Sequence, residues 1–423
     1  MNFNARRLND TPGNWCWGQE TLPVVPSYTY LGVEFTSDCQ WSTHIRNIVE
    51  KAKKKVAGLY QIFRNRHLTM DVKRTAYLHL IRPCLEYAAS VWVPNSSERA
   101  KLESVQLSVL KSCISASSKT ASVAVRGDFG VTTLQARRNL AKILWLFRLS
   151  QMGHDRYPAK VESVSWGQTC PGKQARSWQK VVDTILDTHD ICKQDLTEMA
   201  DAEEVVAQLT TVIDSVHKEQ EDLERSQKSD LKLFDCFSEP VGFKTYLMGK
   251  ATLGTRLKFK LRAGSIPLAA KMRHMRPLTD GTCPLCQSPL EDSVHFLLHC
   301  NHFAGLRKAF MAELGSLVGV EKILAFKGLE DVSRAAALLS DQFWDPDTRA
   351  AVDQLIKRFL ENIWQSRINQ LYAGKSVYKD EPCRPDTPPL PSSLSPSLCA
   401  PSDEDAGSMA DIATTSNHEI YVT

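Results

Sequence analysis

Residues 283–300 read Cys-Pro-Leu-Cys-Gln-Ser-Pro-Leu-Glu-Asp-Ser-Val-His-Phe-Leu-Leu-His-Cys, and the spacing of sulfur and imidazole decides how this part of the chain folds. Cys283 and Cys286 have two residues between them, so one tight turn presents both thiolates to a single ion. His295 and Cys300 have four residues between them and return from a short helical turn to complete a tetrahedron. Four protein ligands leave no position for substrate, so the zinc predicted here is structural. A redox Cys-x-x-Cys pair would need neither the later His nor the later Cys. It would also stand at a helix start after a strand, whereas Thr279-Asp280-Gly281 precedes this pair. His299 shares a helix face with His295, which makes a Cys2His2 sphere geometrically open, and His302 is also near. Phe296, Leu297 and Leu298 are expected to cap the ion with apolar surface, so that metal binding supplies folding energy.

Before this cluster runs a positive strip. Lys244 to Arg276 holds nine Lys and Arg and no acidic residue. Such a run repels itself unless an anion is near, so Arg256, Lys258, Lys260, Arg262, Lys271, Arg273 and Arg276 are expected to touch phosphates. A solvated helix face balanced by neighbouring acids is the plain alternative. About six duplex phosphate contacts would make log K fall with log salt at a slope of about −5. Phe259 and Tyr246 are candidates to stack on bases, although core burial is the commoner fate of such rings.

Charge is segregated elsewhere too, beneath a net charge of only +4. Arg46 to Arg82 carries ten Lys and Arg against Glu50 and Asp71, while from Asp190 to Glu239 acids outnumber bases fourteen to five. With 423 residues and 43% hydrophobic content, the chain is long enough for about three packed units. Its twelve cysteines are thinly spread and follow no signal peptide, so a reducing compartment, nuclear or cytoplasmic, is expected. No window reaches the apolar length of about 20 residues that spans a bilayer, and no membrane association is expected.

The pattern along the chain predicts a mainly α protein. Residues 1–40 read as strands and turns, with Tyr28, Tyr30, Val33 and Phe35 alternating. From Trp41, with Ser42 or Thr43 as cap, Ile45, Ile48, Val49, Ala52 and Val56 recur at helical spacing and leave Lys51, Lys53, Lys54 and Lys55 outside. Lys51, Lys54 and Lys55 are a second candidate contact with nucleic acid. Helices starting near Thr69, broken at Pro83 and resuming after Ser97 complete a bundle over 41–155. Pro158, Gly167, Pro171 and Gly172 mark a boundary, followed by a helical linker unit over 173–243 with an acidic helix whose apolar face is Val205, Leu209, Val212, Val216 and Leu223. The basic arm and CCHC zinc knuckle occupy 244–310, and C-terminal helices 311–376. Seven prolines between Pro382 and Pro401 make 377–423 a disordered tail able to recruit protein partners. His154, His189 and His217 have no companion spacing that makes a triad, and Arg384-Pro385-Asp386 sits in the Pro-rich tail with no strand to hold it.

A series of residues in fixed order resembles the post-palm region of LINE-type, non-LTR retrotransposon reverse transcriptases. It comprises Tyr30-Leu31-Gly32-Val33, Trp41 and His44-Ile45, Ile81-Arg82-Pro83, Leu85-Glu86-Tyr87 and Val91-Trp92. It continues through Lys101 to Gln106, Leu134-Gln135-Ala136-Arg137-Arg138, Leu261-Arg262-Ala263-Gly264 with Pro267-Leu268, and Glu291 to His295, covering about residues 1 to 310. The resemblance implies a palm edge at 1–40, a thumb and connector contacting template and primer, and Cys300 as the fourth metal ligand. It also implies catalytic aspartates in a Phe or Tyr, any residue, Asp-Asp motif, and this sequence contains none. Two-metal nucleotidyl transfer needs those carboxylates, so the expectation is an RNA- or DNA-binding C-terminal fragment with no catalysis of its own and no endonuclease. The alternatives are a host-retained zinc-dependent adaptor and a structural helical interaction protein.

Overall fold

In the computed structural model the described residues are 16–167, 178–198, 201–234, 237, 242–273, 280–340 and 342–371, all within one compact unit. The expected tail over 377–423 and the first part of the expected strand element lie outside them. The described chain is mainly helical with two short hairpins at its start.

β1 (Cys16–Trp17) pairs with β2 (Glu20–Thr21), and β3 (Ser27–Tyr30) with β4 (Val33–Thr36), both antiparallel. The second hairpin turns on Leu31 and Gly32, both with positive φ (46° and 76°), the twist that two-residue hairpin loops require. Tyr87 donates to the Leu31 carbonyl at 2.7 Å and ties the hairpin to the helices. α1 (Ser42–Gly58) buries His44, Ile45, Ile48, Val49 and Ala52 and leaves its lysines in water, as the spacing predicts. After α2 (Tyr60–Arg64) and α3 (Met70–Ala76), a π-helical turn (Tyr77–Ile81) leads into α4 (Arg82–Glu86). Pro83 lacks the N–H that a regular helix would use there, and the widened turn before it carries the break.

α5 (Ser96–Ile114) starts earlier than expected, because Asn95 and not Ser97 caps it. Asn95 accepts from the Glu98 backbone, and the Glu98 carboxylate accepts from the Asn95 backbone. α6 (Ser122–Phe129), α7 (Leu134–Ser150), α8 (Tyr157–Gly167), α9 (Trp178–Thr188) and α10 (Lys193–Glu198) follow. α11 (Ala202–Ser226) is the acidic helix, but its buried stripe is Val205, Leu209, Ile213 and His217. The expected Leu223 is 61% exposed. Strict four-residue spacing keeps that stripe against α7, and His217 accepts from the Thr133 backbone at 3.3 Å. α12 (Leu253–Arg262) and α13 (Ala269–Arg273) precede the Cys/His segment; α14 (Ala304–Lys327), broken at Gly319, α15 (Asp331–Leu339) and α16 (Pro346–Leu371) follow it.

Three cores organise these elements. One gathers α1, the π turn, α5 and α6 around Trp92, Tyr77 and Val109. A second packs α7, α9 and α11 through Ile143, Phe147, Ile185 and Ile213. The third joins the Cys/His segment to α14, α15 and α16. α12 belongs to two of them: Phe259, with Ala263 just past the helix end, enters the first, Leu257 and Leu261 the third. The expected knuckle and the expected C-terminal helices therefore share one core. α12 lies so close to α16 that a Cβ on Gly254 would stand 2.6 Å from the Lys357 carbonyl oxygen. Gly254→Ala is expected to force the two helices apart and cost about 1–3 kcal/mol, measurable as a lower urea midpoint. An unchanged midpoint would refute the close approach.

Candidate metal centre and basic surface

The ligand segment is held by its backbone before any metal is considered. The Cys283 N–H donates to the Ser288 carbonyl at 2.8 Å, and the Glu291 N–H to the Gly281 carbonyl at 2.9 Å, folding 281–291 into a narrow knuckle. Gly281 supplies a φ of 91° that residues with a Cβ resist. Asp292 then accepts from the His295 N–H at 2.8 Å and starts a second π-helical turn, His295–His299. The Cys300 N–H closes that turn on the His295 carbonyl at 2.9 Å. A wide turn of this kind brings His295 and Cys300 round to the same point.

The result is a cluster of Cys283, Cys286, His295 and Cys300 whose donor atoms all lie within 4.8 Å of one another. Cys283 Sγ stands 3.9 Å from Cys300 Sγ, and Cys286 Sγ 3.4 Å from His295 Nε2. Tetrahedral zinc would set these edges at about 3.8 and 3.6 Å, from metal–sulfur and metal–nitrogen bonds of about 2.3 and 2.05 Å. The residues present therefore fit a four-coordinate metal ion. Cys283 and Cys300 are fully buried, and only Cys286 faces partly outward. Burial pushes the Cys283 thiol up and the Cys300 thiol to about 12, so near neutral pH a cation is what draws their protons off. His299 is turned away, its Nε2 lying 2.7 Å from an Asp331 carboxylate oxygen, and His302 reaches Ser366 at 3.2 Å. Cys300, the ligand the resemblance implies, completes the cluster.

Two features around the cluster were not read from the sequence. The buried Glu291 carboxylate, 4.0 Å from Cys283 Sγ, is held by both arms of the Arg367 guanidinium at 2.8 Å each and by the Ala269 N–H at 2.7 Å. Arg307 donates to the Leu297 and Cys300 carbonyls at 3.2 and 2.6 Å. Glu291 sets a negative charge against Cys283 and pushes its thiol further up, whereas Arg307 brings positive charge toward Cys300, and the Arg367 and Arg307 contacts tie the knuckle to two C-terminal helices. Phe296 and Leu297 cap the cluster, but as part of a large core in which Phe296 meets Phe303 and Trp364 edge to face.

The basic strip divides. Lys258 and Arg262 are both only 1% exposed, which corrects their placement among phosphate contacts. Lys258 Nζ meets Asp353 at 2.8 Å, and Arg262 grips Asp128 at 3.1 and 3.3 Å while donating to the Leu339 carbonyl at 2.9 Å. With apolar cores on two sides and α16 on a third, α12 leaves only the Arg256 and Lys260 side partly open. Lys271 is paired with Asp230, and Arg273 is exposed. Arg276 lies outside the described residues. Phe259 and Tyr246 are buried and belong to the core rather than to a stacking surface. On α1, Lys51, Lys54 and Lys55 are exposed and make no ion pair among the described residues. No helix among the described residues is long and apolar enough to cross a membrane.

No protein-family model matches the chain, and no solved structure matches it. Among curated proteins it is similar to a 115 kDa protein in the type-1 retrotransposable element R1DM of Drosophila melanogaster, with 28% identity over 154 residues. The similarity takes in 35% of this chain and 15% of that protein's length, so part of the chain is retrotransposon-related.

Proposed function

We propose that this chain is the post-palm region of a LINE-type reverse transcriptase and grips RNA or DNA, with a zinc ion fixing the fold beside the grip. The observation that carries the reading is the closed cluster of three sulfurs and one imidazole in a chain with retrotransposon similarity. Soft thiolates at tetrahedral spacing favour zinc over the hard oxygen-seeking cations. Zinc bound there holds His295 and Cys300 to the Cys283–Cys286 knuckle and leaves no coordination position for a substrate. The exposed cations of α1, with Arg256, Lys260 and Arg273, are then the contacts with the phosphate backbone. Lys258 and Arg262 hold the fold and add nothing to the grip.

That redistribution changes the expected salt response. Six single-strand contacts, Lys51, Lys54, Lys55, Arg256, Lys260 and Arg273, give a slope of log K against log salt of about −4, shallower than the slope of about −7 that all ten candidate cations would give. Equilibrium binding of the zinc-loaded chain to a single strand across a salt series measures it. A flat response would remove the nucleic-acid reading, whereas a slope of about −6, corresponding to about eight contacts, would mean that the buried Lys258 and Arg262 take part as well.

A further inference from the structure

α16 changes character along its length. Up to Glu361 most of its polar positions carry charge, with Asp347, Arg349, Asp353, Lys357, Arg358 and Glu361 against Thr348 and Gln354. From Asn362 onward the outer face is Asn362, Gln365, Ser366, Asn369 and Gln370, and Arg367, the charged residue there, points inward to Glu291. These five fall at i, i+3, i+4, i+7 and i+8, so they form one stripe, with His302 facing it across a groove of about 950 Å³. His302 follows the ligand Cys300 by two residues and meets Ser366 at 3.2 Å, so the metal cluster positions one wall and α16 the other.

The stripe runs against the usual chemistry of an exposed helix face. Asn and Ser are weaker helix formers than Lys, Glu or Arg, and the stripe's own i,i+4 contact is Gln365 donating to Asn369 at 2.8 Å. The last turns of a helix also favour cations, which this face lacks. What the amides supply instead is a donor and an acceptor on each side chain. Among the described residues its lining is His302, Gly305, Leu306 and the five stripe residues, with no carboxylate, lysine or arginine, so it is matched to neutral groups and not to phosphates.

We infer that this groove takes the hydrogen-bonding edges of unpaired bases in a single strand of RNA or DNA, a contact distinct from the phosphate grip. This rests on the nucleic-acid reading above and adds base recognition to it. Unstacked bases offer donor–acceptor edges that Asn and Gln match.

The test compares two ligands of equal length, a single-stranded oligoadenylate and an abasic strand with the same backbone, binding to the full zinc-loaded chain. The variant is Asn362→Ala/Asn369→Ala/Gln370→Ala, whose alanines favour helix and should leave the fold intact. The wild type is expected to prefer the base-bearing strand by about tenfold, and the variant to lose that preference while binding the abasic strand unchanged. Lys51→Glu/Lys54→Glu/Lys55→Glu should instead weaken both ligands alike. A preference that survives in the amide variant, or an equal loss on both ligands, overturns the groove as a base reader. Equal wild-type affinity for the two strands overturns it as well and leaves the phosphate grip standing. Binding to neither strand would end both proposals.

Discussion

Replacing Cys283 by Ser is expected to abolish stoichiometric zinc binding and to unfold the 281–303 segment, with damage spreading into the core it shares with α14, α15 and α16. Cys283 is fully buried and sits 3.9 Å from Cys300 Sγ, so its loss opens one corner of a closed cluster. A serine hydroxyl does not ionise near neutral pH and cannot replace the thiolate. Structural zinc sites in small peptides are worth about 10–16 kcal/mol of apparent folding energy at neutral pH. Here part of the scaffold survives without the ion, because Arg367 still bridges to Glu291 and Phe296 still packs on Trp364. The loss is therefore expected to be regional. Metal analysis should show zinc absent, and hydrogen exchange should rise across 281–303 and α14 while α1 and α5 stay protected. A variant that kept zinc and full protection would rule out the cluster as the metal centre.

The Cys3His cluster was legible because its chemistry is local: two sulfurs from one turn and two further donors from the next need no distant partner to be recognised. The helices of the first bundle were legible for a similar reason, since Ile45, Ile48, Val49 and Ala52 announce a buried face by spacing alone. The misplaced cations had the opposite origin. Lys258 and Arg262 look like Arg256 and Lys260 in the sequence, and only packing distinguishes them. Their counter-charges, Asp353 and Asp128, lie 95 and 134 residues away. A charge count over a window sees repulsion where the fold supplies pairing from outside the window. The α11 face differs from the expected one in its second half, where Ile213 and His217, rather than Val212, Val216 and Leu223, turn inward, the His217 ring lying buried against the Thr133 backbone. The amide stripe of α16 is not legible in the sequence because uncharged polar residues carry no signal in a charge or hydropathy pattern.

The pairing of Arg262 with Asp128 gives the second large effect. Asp128 is fully buried at the end of α6 and accepts from the Arg262 guanidinium at 3.1 and 3.3 Å and from the Tyr246 hydroxyl at 2.5 Å. The guanidinium also lies over the Phe234 and Tyr246 rings, 4.8 and 5.5 Å from their centroids. Asp128→Ala would leave that positive charge in the interior without its counter-ion. Such a loss costs about 3–5 kcal/mol, a large fraction of a domain's stability. Urea unfolding of Asp128→Ala is expected to show this loss, and adding Arg262→Met to it should restore part of the stability, since removing both charges removes the unpaired one. The Arg262→Met single variant should also fall in stability, because it strands the carboxylate. A purely nucleic-acid-contacting Arg262 would behave otherwise: Asp128→Ala would barely change the unfolding midpoint, and Arg262→Met would weaken binding at full stability. The double variant decides between these outcomes, since only a fold-holding pair predicts that it is more stable than Asp128→Ala.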